Sequence, residues 1–210
     1  MTADEIMNSA EFKKCETFHG HICPGLSIGF QAAQVALDRL REARAEDEEL
    51  IAIVETDACS ADAVQVLTGC TFGKGNFIYK DYGKMVLTLL SRNTGKGVRV
   101  ALKPDAFQPN EEHMDLISKM ASGEANDTEQ QRYWKIHFDQ ACRILETFPE
   151  KLFHITREEV DLPPRAQIES SEFCARCGEP TMPSKMEMSA GQKICRGCSS
   201  QVSGSRHTAQ

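Results

Sequence analysis

The sequence predicts an α+β fold, in which helices pack against a mixed or antiparallel sheet. Helical periodicity and short β-rich runs follow one another in the coarse order helix, strand, helix, strands, helix, helix. The chain has 210 residues, enough for one large core and a small appendage. A Pro163-Pro164 pair and a polar run then precede a new cysteine cluster. We therefore predict a core over residues 1–162, a linker over 163–171 and a small domain over 172–210.

The first strongly periodic segment begins at Pro24. Apolar residues recur there at helical spacing, at Leu26, Phe30, Ala33, Leu37 and Leu40. Proline suits the first turn of a helix, so Cys23 is expected at or beside the N-cap. A buried strand is predicted over 50–56, followed by a helix over 60–67 that Gly69 closes.

The second half of the core alternates strand-forming and helical segments. Residues 76–90 carry strand-forming residues with a break near Gly83, and residues 97–104 form another strand that Pro104 stops. Two helices are predicted over 110–120 and 128–148, the second with an apolar face and Pro149 after its end.

Composition excludes several classes of protein. The chain has 24 basic and 31 acidic residues, a net charge of −7, which disfavours nucleic acid or an anionic membrane surface as a partner. No apolar run approaches the roughly 20 residues that span a bilayer, and the first residues lack the pattern of a secretion signal. We expect a cytoplasmic protein. In a reducing compartment, nine cysteines indicate metal ligation or thiol chemistry before disulfides.

The cysteines near the end of the chain form the most specific motif. Cys174 and Cys177 form one C-x2-C pair, Cys195 and Cys198 form another, and 17 residues separate the pairs. This spacing is typical of a structural zinc site. A thioredoxin-like redox pair would explain one C-x2-C but not two. Because the segment has few large apolar residues, zinc binding would supply the free energy that burial cannot.

A second candidate metal site lies in the stretch F-H-G-H-I-C-P-G, residues 18–25. In an extended backbone His19, His21 and Cys23 would project to the same side. Three mixed nitrogen and sulfur ligands suit an open zinc or iron site whose fourth position is free for water or substrate. The alternative is a turn with two partly buried histidines and a small apolar cysteine.

A third cluster spans residues 55–76. Cys59 lies where a strand passes into a helix, and a helix N-terminus favours its thiolate, so we predict that it joins the core metal site. Asp62 is close enough in sequence to carry a proton. Simple apolar packing is the alternative for Cys59 and is favoured for Cys70. The glycine-rich loop at 69–76 departs from the Walker pattern, but its backbone and Lys74 could bind another anion.

These motifs together resemble a known family. The stretches F-H-G-H-I-C-P-G-L-S-I-G-F-Q-A-A, D-A-C-S-A-D-A-V-Q-V-L-T-G-C-T-F-G-K-G-N and D-Y-G-K, followed by the four-cysteine tail, resemble the FmdE family, proteins similar to the FmdE component of molybdenum- or tungsten-dependent formylmethanofuran dehydrogenase. The resemblance implies an α+β core that dimerises, a treble-clef zinc finger, and a link to anaerobic one-carbon redox metabolism. The candidate functional residues carried over from it are His19, His21, Cys23, Cys59, Asp62, Gln65, Cys70 and Lys74.

Two functions follow as hypotheses. The first is a redox or hydrolytic metalloprotein, or a subunit of a molybdenum or tungsten oxidoreductase, with catalytic candidates Cys23, Cys59, Asp62 and Lys74. The second is a dimeric scaffold or metal-delivery module that docks a partner oxidoreductase through its finger. The first predicts a second metal, zinc or iron, in the core, whereas the second requires only the zinc of the tail.

Overall fold

The structure is a computed structural model that describes residues 1–159 and 161–204. The chain divides into two compact units, Met1–Arg165 and Ala166–Gln210. The predicted linker over 163–171 crosses this division. Across the described residues, none of the helices has the length and apolar character needed to cross a bilayer.

The first unit is built on a mixed five-stranded sheet. Its strands are β1 (Leu50–Val54), β2 (Phe77–Tyr79), β3 (Val86–Ser91), β4 (Gly97–Leu102) and β5 (Phe153–Glu158). They lie in the order β2-β1-β3-β4-β5, in which β1 and β2 are parallel and the other neighbours are antiparallel. The α+β fold with a mixed sheet, predicted from the sequence, is confirmed.

Helices pack on this sheet. They are α1 (Ala3–Met7), α2 (Ala10–His19), α3 (Pro24–Leu40), α4 (Ser60–Thr68), α5 (Glu111–Ser122), α6 (Asp127–Glu146) and α7 (Pro149–Leu152). Helix α3 is the centre of the unit, because it contacts α4, α6 and strands β3 and β4. Its Leu26, Phe30 and Ala33 are almost completely buried, as the apolar periodicity of the segment predicts.

The predicted helices after Pro24 and Ser60 are confirmed, including the N-cap position of Cys23 and the closing Gly69. Sequence analysis missed α1, α2 and β5. In α2, Phe12 and Cys15 are buried and most of the other residues are exposed, so its apolar period is too weak to show in the sequence. Strand β5 has six residues with only Phe153 buried, and it follows α7 directly. Such a strand is recognised by its pairing with β4, which the sequence does not display.

The second unit contains two small hairpins and a helix. Strands β6 (Glu172–Phe173) and β7 (Pro180–Thr181) form the first hairpin, and β8 (Met186–Ser189) and β9 (Gln192–Cys195) form the second. Helix α8 (Arg196–Gly204) follows. Cys174, Ile194 and Cys198 form the buried cluster of this unit. Because two of these three residues are cysteines, metal binding suits the unit better than apolar burial. The predicted domain over 172–210 ends in residues 205–210, which lie outside the described part of the chain.

Candidate metal centres

The core candidate site brings together the three residues that the sequence singled out. His19, His21 and Cys23 each offer one ligand atom, and these atoms lie within 4.8 Å of one another. The His19 and His21 ring centroids are 4.5 Å apart, and Cys23 Sγ lies 3.6 Å from His19 Nε2. A sulfur and a nitrogen bound to one zinc at tetrahedral angles are separated by about 3.6 Å. The donor set and its spacing therefore suit a zinc or iron ion.

The backbone reaches this arrangement in a different way from the one predicted. The expectation of an extended segment over residues 19–23 is wrong, because His19 is the last residue of α2 and Gly20 turns the chain with φ of +94°. That left-handed conformation favours glycine. Cys23 then caps α3, where its sulfur accepts a hydrogen bond from the amide of Leu26 at 3.3 Å. A helix end, a glycine turn and a helix start thus place the three ligands on one centre.

Asp62 supports the site from α4. Its Oδ2 lies 2.7 Å from His19 Nδ1, while His19 Nε2 faces Cys23. A carboxylate on one ring nitrogen fixes the imidazole with the other nitrogen free for a metal, an arrangement typical of metal-ligating histidines. His19 is nearly buried and Asp62 about one-third exposed. The proton-carrier role expected for Asp62 stays a prediction, and this contact indicates an orienting role instead.

Cys59 lies beside the three ligands, at the N-cap of α4. Within the described residues it is not part of the group whose ligand atoms all lie within 4.8 Å. A hydrogen bond from the Cys23 thiol, together with His19, lowers the pKa of Cys59 below that of an ordinary thiol. The same hydrogen bond and burial raise the pKa of Cys23. Ligation by Cys59 stays a prediction.

Two glycines allow this close approach. A Cβ at Gly25 would lie 2.9 Å from the Cβ of Cys59, and one at Gly29 would lie 2.2 Å from the backbone oxygen of Ser60. Both distances are shorter than Cβ atoms tolerate, so the start of α4 packs directly on the backbone of α3. Gly25 and Gly29, one helical turn apart, thus bring Cys59 to Cys23.

An aromatic cluster borders the site and was missed by sequence analysis. The Trp134 ring lies 5.9 Å from His21, and Tyr133 stacks on His137 at 4.7 Å. His137 Nδ1 lies 3.1 Å from Nε2 of the fully buried His113. Burial lowers the pKa of His113, and burial together with the nearby His113 and His21 lowers that of His137 to about 4. Only the i, i+3 and i+4 spacing of Tyr133, Trp134 and His137 could have indicated the cluster, since His113 comes from another helix.

The remaining candidates form contacts with residues other than the three ligands. The Lys74 ammonium donates hydrogen bonds to the carbonyls of Glu46 and Asp47, at 3.1 and 3.4 Å. Cys70 is fully buried in the core, where burial raises its pKa. Gln65 Oε1 accepts a hydrogen bond from the amide of Phe72.

In the loop predicted to bind an anion, several backbone amides already donate hydrogen bonds to acceptors of the protein. The amide of Thr71 donates to Asn76 Oδ1 at 3.0 Å, and the amide of Lys74 donates to the Thr71 carbonyl at 3.2 Å. With the Phe72 amide held by Gln65 as well, three of the loop's donors are used internally. An anion nest formed by this backbone is therefore disfavoured.

The second unit contains the other candidate centre. The sulfurs of Cys174, Cys177, Cys195 and Cys198 lie within 4.8 Å of one another, as the C-x2-C spacing predicts. The amides of Arg176 and Cys195 donate to Cys174 Sγ at 3.4 and 3.2 Å. Hydrogen bonds from backbone amides lower the pKa of Cys174 to about 6, which favours the thiolate that a metal requires. This cluster could bind a metal ion and form a zinc finger.

The family comparison concerns the first unit. The sequence pattern of the family described as FmdE, molybdenum formylmethanofuran dehydrogenase operon, matches residues 18–154. The chain belongs to the FmdE family. The match begins at Phe18, so it includes His19, His21, Cys23, Cys59 and Asp62, which are therefore FmdE-domain residues.

Two individual proteins are similar to this FmdE-family chain. A probable S-adenosyl-L-methionine-binding protein of Archaeoglobus fulgidus is 33% identical over 181 aligned residues, and the match covers 83% of this chain and 49% of that protein. This chain thus spans about half the length of that curated relative. A tungsten formylmethanofuran dehydrogenase FmdE-like protein of Syntrophus aciditrophicus has a similar structure, with a TM-score of 0.62 and 24% identity over 96% of this chain and 94% of that one. This second likeness supports the fold alone.

Proposed function

We propose that the first unit is a metal-dependent catalytic domain of the redox or hydrolytic type, with zinc or iron held by His19, His21 and Cys23. The observation that supports it is the meeting of these three ligand atoms within 4.8 Å, with Asp62 on the far nitrogen of His19. Three protein ligands leave a position for water or substrate, whereas a structural site is normally closed by four. His21 is exposed, so this position is accessible from solvent.

Each residue then has a distinct task. A bound zinc or iron would supply a Lewis acid and lower the pKa of a coordinated water. Asp62 accepts a hydrogen bond from the Nδ1–H group of His19, and this contact keeps Nε2 directed at Cys23. The Cys59 sulfur, whose pKa is lowered, can accept a proton or act as a nucleophile beside the ligands. Lys74, tied to the backbone at residues 46 and 47, has no part in this proposal.

We also propose that the four cysteines of the second unit hold a structural zinc. The closed set of four thiol ligands and the small buried cluster support this assignment. A cytoplasmic homodimer, associated with a molybdenum or tungsten oxidoreductase and not with nucleic acid, remains our proposal for the cellular setting. It is supported by the family's link to the formylmethanofuran dehydrogenase operon and by the net charge of −7.

A scaffold or metal-delivery module is the second candidate. The exposed aromatic side chains Phe18 and Phe72, 60% and 78% accessible, favour it because exposed rings often mark partner surfaces. In that case the core would carry no metal, and the zinc of the second unit would be the whole metal content of the chain.

Cobalt titration tests the catalytic proposal directly. Trp134 is the only tryptophan and lies 5.9 Å from His21, so its fluorescence reports on this site. In a background of Cys174→Ser combined with Cys177→Ser, which removes one C-x2-C pair of the tail cluster, added Co²⁺ should quench Trp134 and give thiolate-to-cobalt absorption. Cys23→Ser should abolish the absorption and weaken the quenching, whereas the control His154→Ala on β5 should change neither. Quenching that is unaffected by Cys23→Ser would contradict the proposal.

A further inference from the structure

A broad groove lies in the first unit. It has a volume of about 1030 Å³ and runs between α2, the second half of α4 and the loop at 71–73. Ligand pockets for small molecules are typically about 300 to 1,000 Å³. Phe18 in its wall directly precedes His19, and Gln65 lies one helical turn after Asp62. The same two helices, α2 and α4, thus supply residues to the groove and to the candidate metal centre.

The charge of the groove is opposite to that of the chain. Among the residues that the structure describes, its lining includes three basic residues, Lys13, Lys14 and Arg44, and no carboxylate, although the whole chain carries −7. In the described part of the chain neither lysine takes part in an ion pair, whereas Arg44 donates hydrogen bonds to the carbonyls of Val66 and Ala45. Two ammonium groups on one turn of α2 produce a local positive potential that attracts an anion.

Two aromatic rings complete the groove. Phe18 and Phe72 are 60% and 78% exposed, and both line it. Phe72 is held in place because its amide donates to Gln65 Oε1 at 3.2 Å, which fixes the loop to α4. Exposed rings on a fixed backbone favour stacking with a flat ring, because stacking on an aromatic side chain requires only that the ligand present a π-face.

We propose that this groove binds a small ligand made of a planar aromatic ring with an anionic carboxylate or phosphate group, the ring against Phe18 and Phe72 and the anion on Lys13 and Lys14. The further assignment of this ligand as the substrate rests on the proposed function of the metal centre. Binding itself does not, since the groove residues and the three metal ligands are separate sets. The groove thus indicates a class of substrate, an aromatic anion, which the metal ligands alone do not indicate.

Fluorescent dyes of matched shape test the proposal on the full chain. Anilinonaphthalene sulfonate carries a flat naphthalene ring and an anionic sulfonate, and N-phenyl-1-naphthylamine is its uncharged counterpart. The anion should bind at least fivefold more tightly, and its binding should weaken with salt. Lys13→Gln combined with Lys14→Gln should weaken anion binding about fivefold and leave the neutral dye unchanged. Phe72→Ala should weaken both dyes, while the exposed controls Lys96→Gln and Phe148→Ala should affect neither.

Competition then distinguishes the two anion types. Displacement of the dye by AMP but not adenosine identifies a phosphate ligand, and displacement by 1-naphthoate identifies a carboxylate ligand. Equal binding of both dyes, or displacement by neither competitor, would overturn the proposal. A Cys23→Ser variant should still bind the anionic dye, so loss of metal binding and loss of groove binding are separate results. Circular dichroism of each variant checks that the fold is intact.

Discussion

Asp62 is the residue whose contact with the metal centre is most specific. Its Oδ2 is 2.7 Å from His19 Nδ1 and is positioned to orient the ring. We predict that Asp62→Asn weakens metal binding by about 10- to 100-fold, because partners that orient a metal-ligating histidine usually contribute that much. Chelator competition monitored by Trp134 fluorescence measures the affinity. Asp57→Asn, an exposed acid that follows β1, is the matched control and should leave it unchanged.

Asn76 offers a test of the loop that forms one wall of the groove. It is 1% exposed, its amide group donates to the carbonyls of Asp47 and Leu50 at 3.0 Å each, and its Oδ1 accepts from Thr71. Asn76→Ala leaves these groups unpaired, so we expect a loss of about 2 to 4 kcal/mol in the free energy of unfolding. Urea denaturation measures it. A loss no larger than that of Asn93→Ala, in an exposed turn, would show that water replaces these hydrogen bonds.

The contact between His113 and His137 predicts a pH dependence of stability. The pKa of His137 is about 4 in the folded chain, against about 6.5 for an unfolded histidine. Between these values the unfolded chain binds more protons, so stability is lost as the pH falls from about 6.5 towards 4. His137→Gln should reduce this loss in urea denaturation at pH 7 and pH 5. The exposed His154→Gln should not, and equal slopes for His137→Gln and the wild type would contradict the pKa shift.

At the residue scale, the sequence was sufficient to identify the residues of the site but not their arrangement in space. The types and spacing of His19, His21 and Cys23 were sufficient to nominate them, because nitrogen and sulfur ligands are rarely so concentrated. The Asp62 contact depends on α2 packing against α4, 43 residues away in sequence. The His113 and His137 contact likewise joins α5 to α6. Such pairs require the tertiary arrangement and leave no local pattern.

At the scale of elements, the packing of α3 on α4 is the feature on which the site depends most. Gly29 meets the backbone of Ser60 so closely that an added Cβ would lie 2.2 Å from its oxygen. We predict that Gly29→Ala destabilises the fold by about 1 to 3 kcal/mol, the usual cost of overpacking. Thermal unfolding measures the change. Gly73→Ala is the control, because a Cβ there meets nothing within 4 Å, and equal effects of the two substitutions would argue against the close contact.

The elements that the sequence predicted well are those with a strong apolar period. Helix α3 was expected from Pro24 to Leu40 and ends at that residue, since its whole inner face is buried. Helix α2 was not expected, and with it the extended form of residues 19–23 proved wrong. That prediction failed at Gly20. Glycine adopts an extended conformation as readily as the positive φ that ends a helix, and here it adopts the second.

At the scale of the whole molecule, the association state remains a prediction. Resemblance to the FmdE family implies a dimer, and the exposed Phe148, outside the groove, provides apolar surface. We expect sedimentation velocity at micromolar concentration to give a dimer of this 23.4 kDa chain. A monomer throughout that range would contradict the prediction.

Metal content of the full chain tests the central claim most directly. Protein purified without oxygen should contain about two metal ions per chain, one for each ligand cluster. His19→Ala combined with Cys23→Ser should lower the content by about one, and so should Cys174→Ser combined with Cys177→Ser. Inductively coupled plasma mass spectrometry measures all three proteins. A wild-type content of about one ion that falls only with the Cys174 and Cys177 substitutions would contradict a metal centre at His19, His21 and Cys23.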